Sequence, residues 1–395
     1  MSSLRKITLG TLNISDKGKE YVNDALNSNR LSAGKYTATF ERSFANAHES
    51  EHAIFMNSGT SALQVALSAL KEVYRYSDQD EVLVPACTFI ATSNIVLQNN
   101  LKPVFVDVDP RTFNINPSEI ERHITPRTKC IIPVHLFGQP CQMDTIMRIA
   151  EAYKLQVIED SCETMFAKYQ GKSVGSFGHL ACFSTYVAHL VVGGVGGIVT
   201  TQSDDLAEVC RSLMAHGRDS IYTNIDQDDS TDKDIQKKMI ERRYSFDRVG
   251  YSFRATELEA AIALSELERA KQNIDKRRAN AALLTSKLSD FGKFNGPLQL
   301  PSVTSDVDHS FMMYPIVMKG YRDSLLEHLE TNGIETRYLF PLLSQPIYKT
   351  LFPDLDQKYP VARHLARQGF FIGMHQGLTT KDIEYVSEVM HAFQF

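Results

Sequence analysis

Four short stretches place reactive side chains where strand patterns give way to turns. In "NSGTSAL" (57–63), Gly59, Thr60 and Ser61 open a helical pattern whose apolar face is Leu63, Ala66, Leu67 and Leu70. Free N–H groups, a bare backbone and two hydroxyls suit a phosphate, and the same residues also make an ordinary helix cap. In "VIEDSCETM" (157–165), Asp160 ends an apolar strand. A carboxylate there needs a partner, either a protonated heterocyclic nitrogen or the N–H groups of the next loop. In "PACTFIAT" (85–92), Phe89 lies just past a strand end, where ligands collect in α/β sheets. Its ring could stack on a planar ligand or fill a core. In "CFSTYVAHLVVGGVGG" (182–197), His189 stands before a glycine-rich turn. Imidazole can carry protons near neutral pH, although most lone histidines beside a glycine turn are structural or surface residues.

The elements that must hold these residues follow one rhythm. Apolar runs at 53–56, 81–85, 103–109, 129–135 and 155–160 alternate with helical patterns, which predicts an α/β layer with a mainly parallel sheet. "LACFST" and "GGIVTT" add two strands around the glycine turn. Residues 226–238 are dense in charge and read as an exposed loop or short helix. A long helical pattern from Glu257 leads into a smaller α+β region with a strand at 311–318. The expected division is a large α/β domain over 1–255 and a small domain over 256–395.

Composition narrows the function classes. Of 395 residues, 43% are hydrophobic and 23% charged, and 42 basic against 47 acidic residues give a net charge of −5. That balance argues against nucleic acid as a partner. No apolar run reaches the length of a membrane span, and the first residues lack the apolar core of a signal peptide. Cys87, Cys130, Cys141, Cys162, Cys182 and Cys210 are scattered, so neither a metal site nor a disulfide framework is expected, and the reducing cytoplasm is the expected compartment.

The four stretches together, with "PVFVDVDPRTFNI", "AHGR", "GYSFRATELEAAIALSEL" and "GIETRYLFPLLSQPIY", resemble the DegT/DnrJ/EryC1/StrS family. These enzymes use pyridoxal 5′-phosphate on nucleotide-linked keto-sugars. The resemblance implies a fold type I architecture, aspartate aminotransferase-like, and a homodimer with shared active sites. It also implies that Gly59, Thr60, Ser61 and Ser184 hold the cofactor phosphate and that Phe89 stacks on the ring. Asp160 would pair with the ring nitrogen, and Glu163 stands where the family usually has glutamine near the ring hydroxyl. Ser252 occupies a position that is usually asparagine, in a segment that reaches the partner's cofactor. His216, Arg254, Arg337 and His375 become candidates for substrate contact.

The family's aminotransferases carry a lysine, covalently linked to the cofactor, where this chain has His189. Imidazole cannot form that link, so the cofactor is expected to be non-covalent and to rest as pyridoxamine 5′-phosphate. This resembles the subgroup of keto-sugar 3-dehydratases, in which glutamate would reload the amine. Gln376, in "GFFIGMHQGL", stands where the family's aminotransferases tend to have proline. A related iron–sulfur branch needs closely spaced cysteines, which are lacking here. An aminotransferase using another lysine (Lys168 or Lys172) and an inactive binding protein are the alternatives.

Overall fold

The computed structural model describes residues 5–219, 233–242, 244–291, 298–340, 342–353 and 355–394. The first half of the chain lays down β1 (His52–Met56), β2 (Glu81–Pro85), β3 (Lys102–Val106), β4 (Thr128–Ile131) and β5 (Gln156–Asp160). A short hairpin of β6 (Lys168–Tyr169) and β7 (Lys172–Ser173) precedes β8 (Leu180–Ser184) and β9 (Gly197–Thr201). Seven of these strands form one sheet in the order β1-β9-β8-β5-β4-β2-β3. Every residue of β2, β8 and β9 is buried, as continuous apolar strands covered on both faces must be. Only β9 runs against its neighbours. The carboxyl ends of β1, β5 and β8 therefore meet along one rim, where β9 begins.

The helices of this region are α1 (Asp16–Asn27), α2 (Lys35–Ala47), α3 (Gly59–Val73), α4 (Ile90–Gln98), α5 (Pro117–Ile120), α6 (Met143–Tyr153), α7 (Asp204–Met214) and α8 (Lys233–Arg242). The central one, α3, packs on β8, β9, α4 and α7 and buries both of its flanks. Of the charged run, residues 226–232 lie outside the described residues, and 233–238 belong to α8.

Next come α9 (Glu257–Leu267), α10 (Ala270–Leu288), β10 (Leu298–Gln299), β11 (Val307–Asp308), β12 (Met313–Met318), β13 (Thr336–Tyr338) and β14 (Gly369–Gly373). A four-stranded antiparallel sheet, β10-β12-β14-β13, packs with α10 and the helices Arg322–Thr331 and Thr380–Ala392 around a second apolar core. That core includes Ile7 from the other end of the chain, whose N–H donates to Gly333 at 2.8 Å.

We place the division between the two units inside α10, not at residue 256. The buried residues of α9 (Ala260, Ala261, Ala263 and Leu264) belong to the large core, against α1 and α2. The carboxylate of Glu257 accepts from the backbone N–H groups of Gly34, Tyr36 and Thr37, which ties α9 to the start of α2. Ala281, Leu284 and Leu288, later on α10, join the second core.

The glycine-rich turn has a steric origin. Gly196 sits at φ +137°, where side chains are rarely tolerated. A Cβ on Gly197 would stand 2.1 Å from the carbonyl oxygen of Ser58, the residue that caps α3. Bare backbone at 197 lets β9 touch the chain as it turns into α3. Gly197→Ala is expected to cost about 1–3 kcal/mol, read as a lower urea midpoint with an unchanged m-value. An unshifted midpoint would show that the turn absorbs the clash.

Candidate active site

The carboxyl rim of the sheet opens into a cavity of about 440 Å3, with Gly59, Thr60, Phe89, Asp160, Glu163, Ser184, His189 and Arg337 on its wall. The start of α3 forms one side. Ser58 caps it, its Oγ accepting from the Ser61 N–H at 3.0 Å. The N–H groups of Gly59 and Thr60 precede any intrahelical acceptor and carry the positive end of the helix dipole. A Cβ at Gly59 would lie 2.8 Å from Ser184 Cβ and 2.9 Å from Cys162 Sγ, so the close approach of β8 requires glycine. Ser61 is buried one layer back, its hydroxyl 2.8 Å from that of Ser58.

Asp160 closes the floor at the end of β5. Its Oδ2 accepts from Thr92 Oγ1 at 2.8 Å and its Oδ1 from the Cys162 N–H at 3.2 Å. Burial raises its pKa against these bonds, and a cationic partner would lower it again. Glu163 stands beside it and accepts from the Phe137 N–H at 3.0 Å. Loss of hydration, with Asp160 adding to it, pushes Glu163 up to about 8. At neutral pH it is a neutral carboxyl with one donor and one acceptor, as an amide side chain would be. Phe89 remains 56% exposed, its ring edge-on to Phe340 at 6.2 Å, and so presents an aromatic face to the cavity mouth.

His189 follows β8 in a turn closed by its N–H donating to Tyr186 at 2.9 Å. Its Nδ1 is buried without a hydrogen-bond partner. Burial, then the charge of Arg277, lowers its pKa to about 4. The imidazole is therefore neutral at pH 7 and able to accept a proton. Among the described residues, no lysine lines the cavity. Lys168 pairs with Glu49 at 2.8 Å, and Lys172 lies over the Phe177 ring, both on the β6–β7 hairpin.

Other candidates lie apart. Arg337 reaches the wall but pairs with Glu335 at 2.6 Å. Ser252, His216 and Arg254 form their own exposed cluster, with Arg254 Nη2 3.2 Å from His216 Nε2 and 3.4 Å from Ser252 Oγ. None of the three is on the cavity wall of this subunit. His375 is buried behind the wall, its Nε2 3.4 Å from Thr8 Oγ1. Sequence reasoning passed over Thr92, although it sits one helical turn after Phe89 in the same quoted segment. It also passed over Tyr186, Met312 and Phe340, which carry no spacing signal.

The chain belongs to the DegT/DnrJ/EryC1/StrS aminotransferase family, which it matches over residues 13–391. It is 36% identical to the GDP-perosamine synthase of Caulobacter vibrioides over 98% of both chains. It is 33% identical to the dTDP-4-dehydro-2,6-dideoxy-D-glucose 3-dehydratase of Saccharopolyspora spinosa, over 92% of this chain and 81% of that one. Among solved structures, the Escherichia coli GDP-4-keto-6-deoxy-D-mannose-3-dehydratase with bound hydrated pyridoxal phosphate superposes with a TM-score of 0.86. It is 26% identical, over 98% of this chain and 100% of that one. The fold is thus that of the pyridoxal-phosphate aminotransferases, and the protein is a sugar-modifying enzyme that uses pyridoxal or pyridoxamine phosphate.

The wall fits that group: a glycine-floored helix start for the phosphate, an exposed aromatic face for the ring, and a buried carboxylate for its nitrogen. Since Glu163 is neutral below about pH 8 and ionised above it, cofactor affinity in the native protein should weaken as pH rises through 8. Glu163→Gln should bind with little pH dependence across that range. Parallel pH profiles in a fluorescence titration would show that Glu163 does not face the cofactor.

Proposed function

We propose that this protein is a 3-dehydratase, removing the C3 hydroxyl of a nucleotide-linked 4-keto-6-deoxy sugar with a cofactor held non-covalently. The observation that carries this reading is His189 on the cavity wall, with no lysine among the lining residues. When bound, the cofactor supplies an amine for the C4 ketone and a ring that accepts electrons.

The chain's own residues supply position and proton transfer. Asp160 holds the ring-nitrogen end, Ser184 and the start of α3 hold the phosphate, and Phe89 covers the face. His189, neutral at rest, takes a proton from carbon at an imidazole nitrogen. As the imidazolium it is a strong acid in this setting and delivers the proton to the departing C3 hydroxyl, which leaves as water. Without a lysine amine to recapture the sugar, hydrolysis releases a 3-deoxy-4-keto product and the amine nitrogen leaves as ammonia. Glutamate reloads the amine.

A homodimer fits the exposed apolar residues Tyr186, Val195 and Val249 (51%, 46% and 96% exposed). In such a dimer, Ser252, His216 and Arg254 would serve the partner's cavity. We place the enzyme in the cytoplasm; no helix of the described residues is long and apolar enough to cross a membrane. A second reading, a nucleotide-sugar aminotransferase, is favoured by the identity to GDP-perosamine synthase.

Borohydride treatment of the protein loaded with pyridoxal phosphate should leave no cofactor on any lysine. The same treatment of His189→Lys should fix it at residue 189. The native protein with glutamate and GDP-4-keto-6-deoxymannose should give a product lacking one oxygen at C3, and His189→Gln should turn over about 10²–10⁴-fold more slowly. An amino sugar as product supports the second reading. Cofactor binding without turnover of any keto-sugar means a binding protein.

A further inference from the structure

Arg277 lies in the middle of α10, and at 2% exposure it is among the largest fully buried side chains of the protein. Its three hydrogen bonds all go to neutral acceptors. Nη1 donates to the carbonyl oxygens of Phe311 (3.3 Å) and Met312 (2.9 Å). Nη2 donates to Oε1 of Gln376 at 2.8 Å. Its Nε has no partner, and among the described residues no carboxylate pairs with it. An unpaired buried cation is costly, and a methionine or leucine would fill the same space without that cost.

The position of Arg277 gives the charge a use. Met312, whose carbonyl it holds, lines the catalytic cavity. His189 lines the same cavity as Met312, and Gln376, the other anchor of the guanidinium, directly follows His375. The charge thus sits beside the wall that carries His189 and is backed by His375, and it adds to burial in lowering the pKa of both. Both leave a buried Nδ1 without a partner; Asp382 acts on the His375 cation, whereas among the described residues no carboxylate bonds to His189. The other ionisable groups around His189 are those it shares the cavity with: Tyr186, with its ring 6.0 Å away, and Asp160, Cys162, Glu163 and Arg337. Asp160 is committed to Thr92 and the Cys162 N–H, and Arg337 to Glu335.

We propose that Arg277 is a positioning residue for proton transfer: a buried cation, anchored by Gln376 and the carbonyl of Met312, that drives positive charge off His189. A resting imidazole is then always ready to accept. Once it has taken a proton from carbon, repulsion from Arg277 speeds delivery of that proton to the leaving hydroxyl. The role rests on the reading of His189 as the proton carrier, whereas the electrostatic coupling does not.

The coupling is tested in full-length protein with labelled histidines, following the His189 imidazole by NMR against pH, with His189→Gln to assign the signal. Gln376→Glu places a carboxylate on Arg277 in nearly the same shape and should raise the midpoint by about one pH unit. Arg277→Lys keeps the charge and should leave it where it is. Arg277→Met should raise it, and if that variant fails to fold, the other two decide. A His189 midpoint unmoved in Gln376→Glu overturns the proposal and leaves Arg277 a structural brace. If the midpoint moves as expected but His189→Gln turns over at the native rate, the coupling stands and the reading of His189 as proton carrier fails. In the working enzyme, the acid limb of the turnover profile should move with the NMR midpoint, which a bracing role alone would not produce.

Discussion

Glu159 accepts four hydrogen bonds without reaching the cavity at all. His135 Nε2 and the Gly175 N–H bind Oε2 at 3.0 and 2.8 Å, and the N–H groups of Phe177 and Gly178 bind Oε1 at 2.7 and 2.8 Å. The side chain is fully buried, so losing any donor would leave a carboxylate short of the partners that make its burial tolerable. His135 Nδ1 in turn accepts from the Cys141 N–H, which fixes the tautomer that donates to Glu159. Successive strand residues point to opposite faces. With Glu159 clamped on one face of β5, Asp160 is held toward the other, where the cavity lies. The placement of every other cavity residue is measured from that floor.

Burial acts on every titratable group of the cavity, raising both carboxyls and lowering the imidazole, and the hydrogen bonds around each decide how far. Asp160 keeps two hydrogen bonds that favour its anion. Glu163 accepts one, but burial, with the charge of Asp160 adding to it, favours its neutral form. His189 has neither a carboxylate nor a hydrogen bond on its buried nitrogen and lies in the field of a cation. Two carboxyl groups and one imidazole in the same cavity thus differ in charge preference by environment alone.

The parts of this site that could be read in the sequence are those in which one residue follows directly from one strand. Gly59, Phe89, Asp160 and Ser184 all stand at or just past strand ends, where apolar runs stop and small or polar residues begin. The glycine pair 196–197 was visible as a turn, but its contact with Ser58, more than a hundred residues earlier, was not. Arg277 gave no signal, because α10 reads as a charged amphipathic helix with Arg278 and Lys276 beside it. Which of three adjacent cations is buried is decided by β12 and the loop at Gln376. The unit to which α9 belongs is not legible in the sequence, since its alanines suit a tight packing surface in either unit and the Glu257 bonds run to distant α2.

The first residues run across the seam between the two units. Ile7 sits in the small core, Leu9 lines the cavity, and a Cβ on Gly10 would press on Ala188 next to His189. The cavity wall accordingly draws on residues from Leu9 to Phe371, and Thr8 meets His375 across 367 positions of sequence. Contacts this distant close late in folding, because the loop entropy is lost before they return anything. During synthesis, the seven-stranded sheet and the start of α3 can assemble while the ribosome is still adding the small domain. The completed wall has to wait for β14, so the cavity closes only after Phe371 has been added.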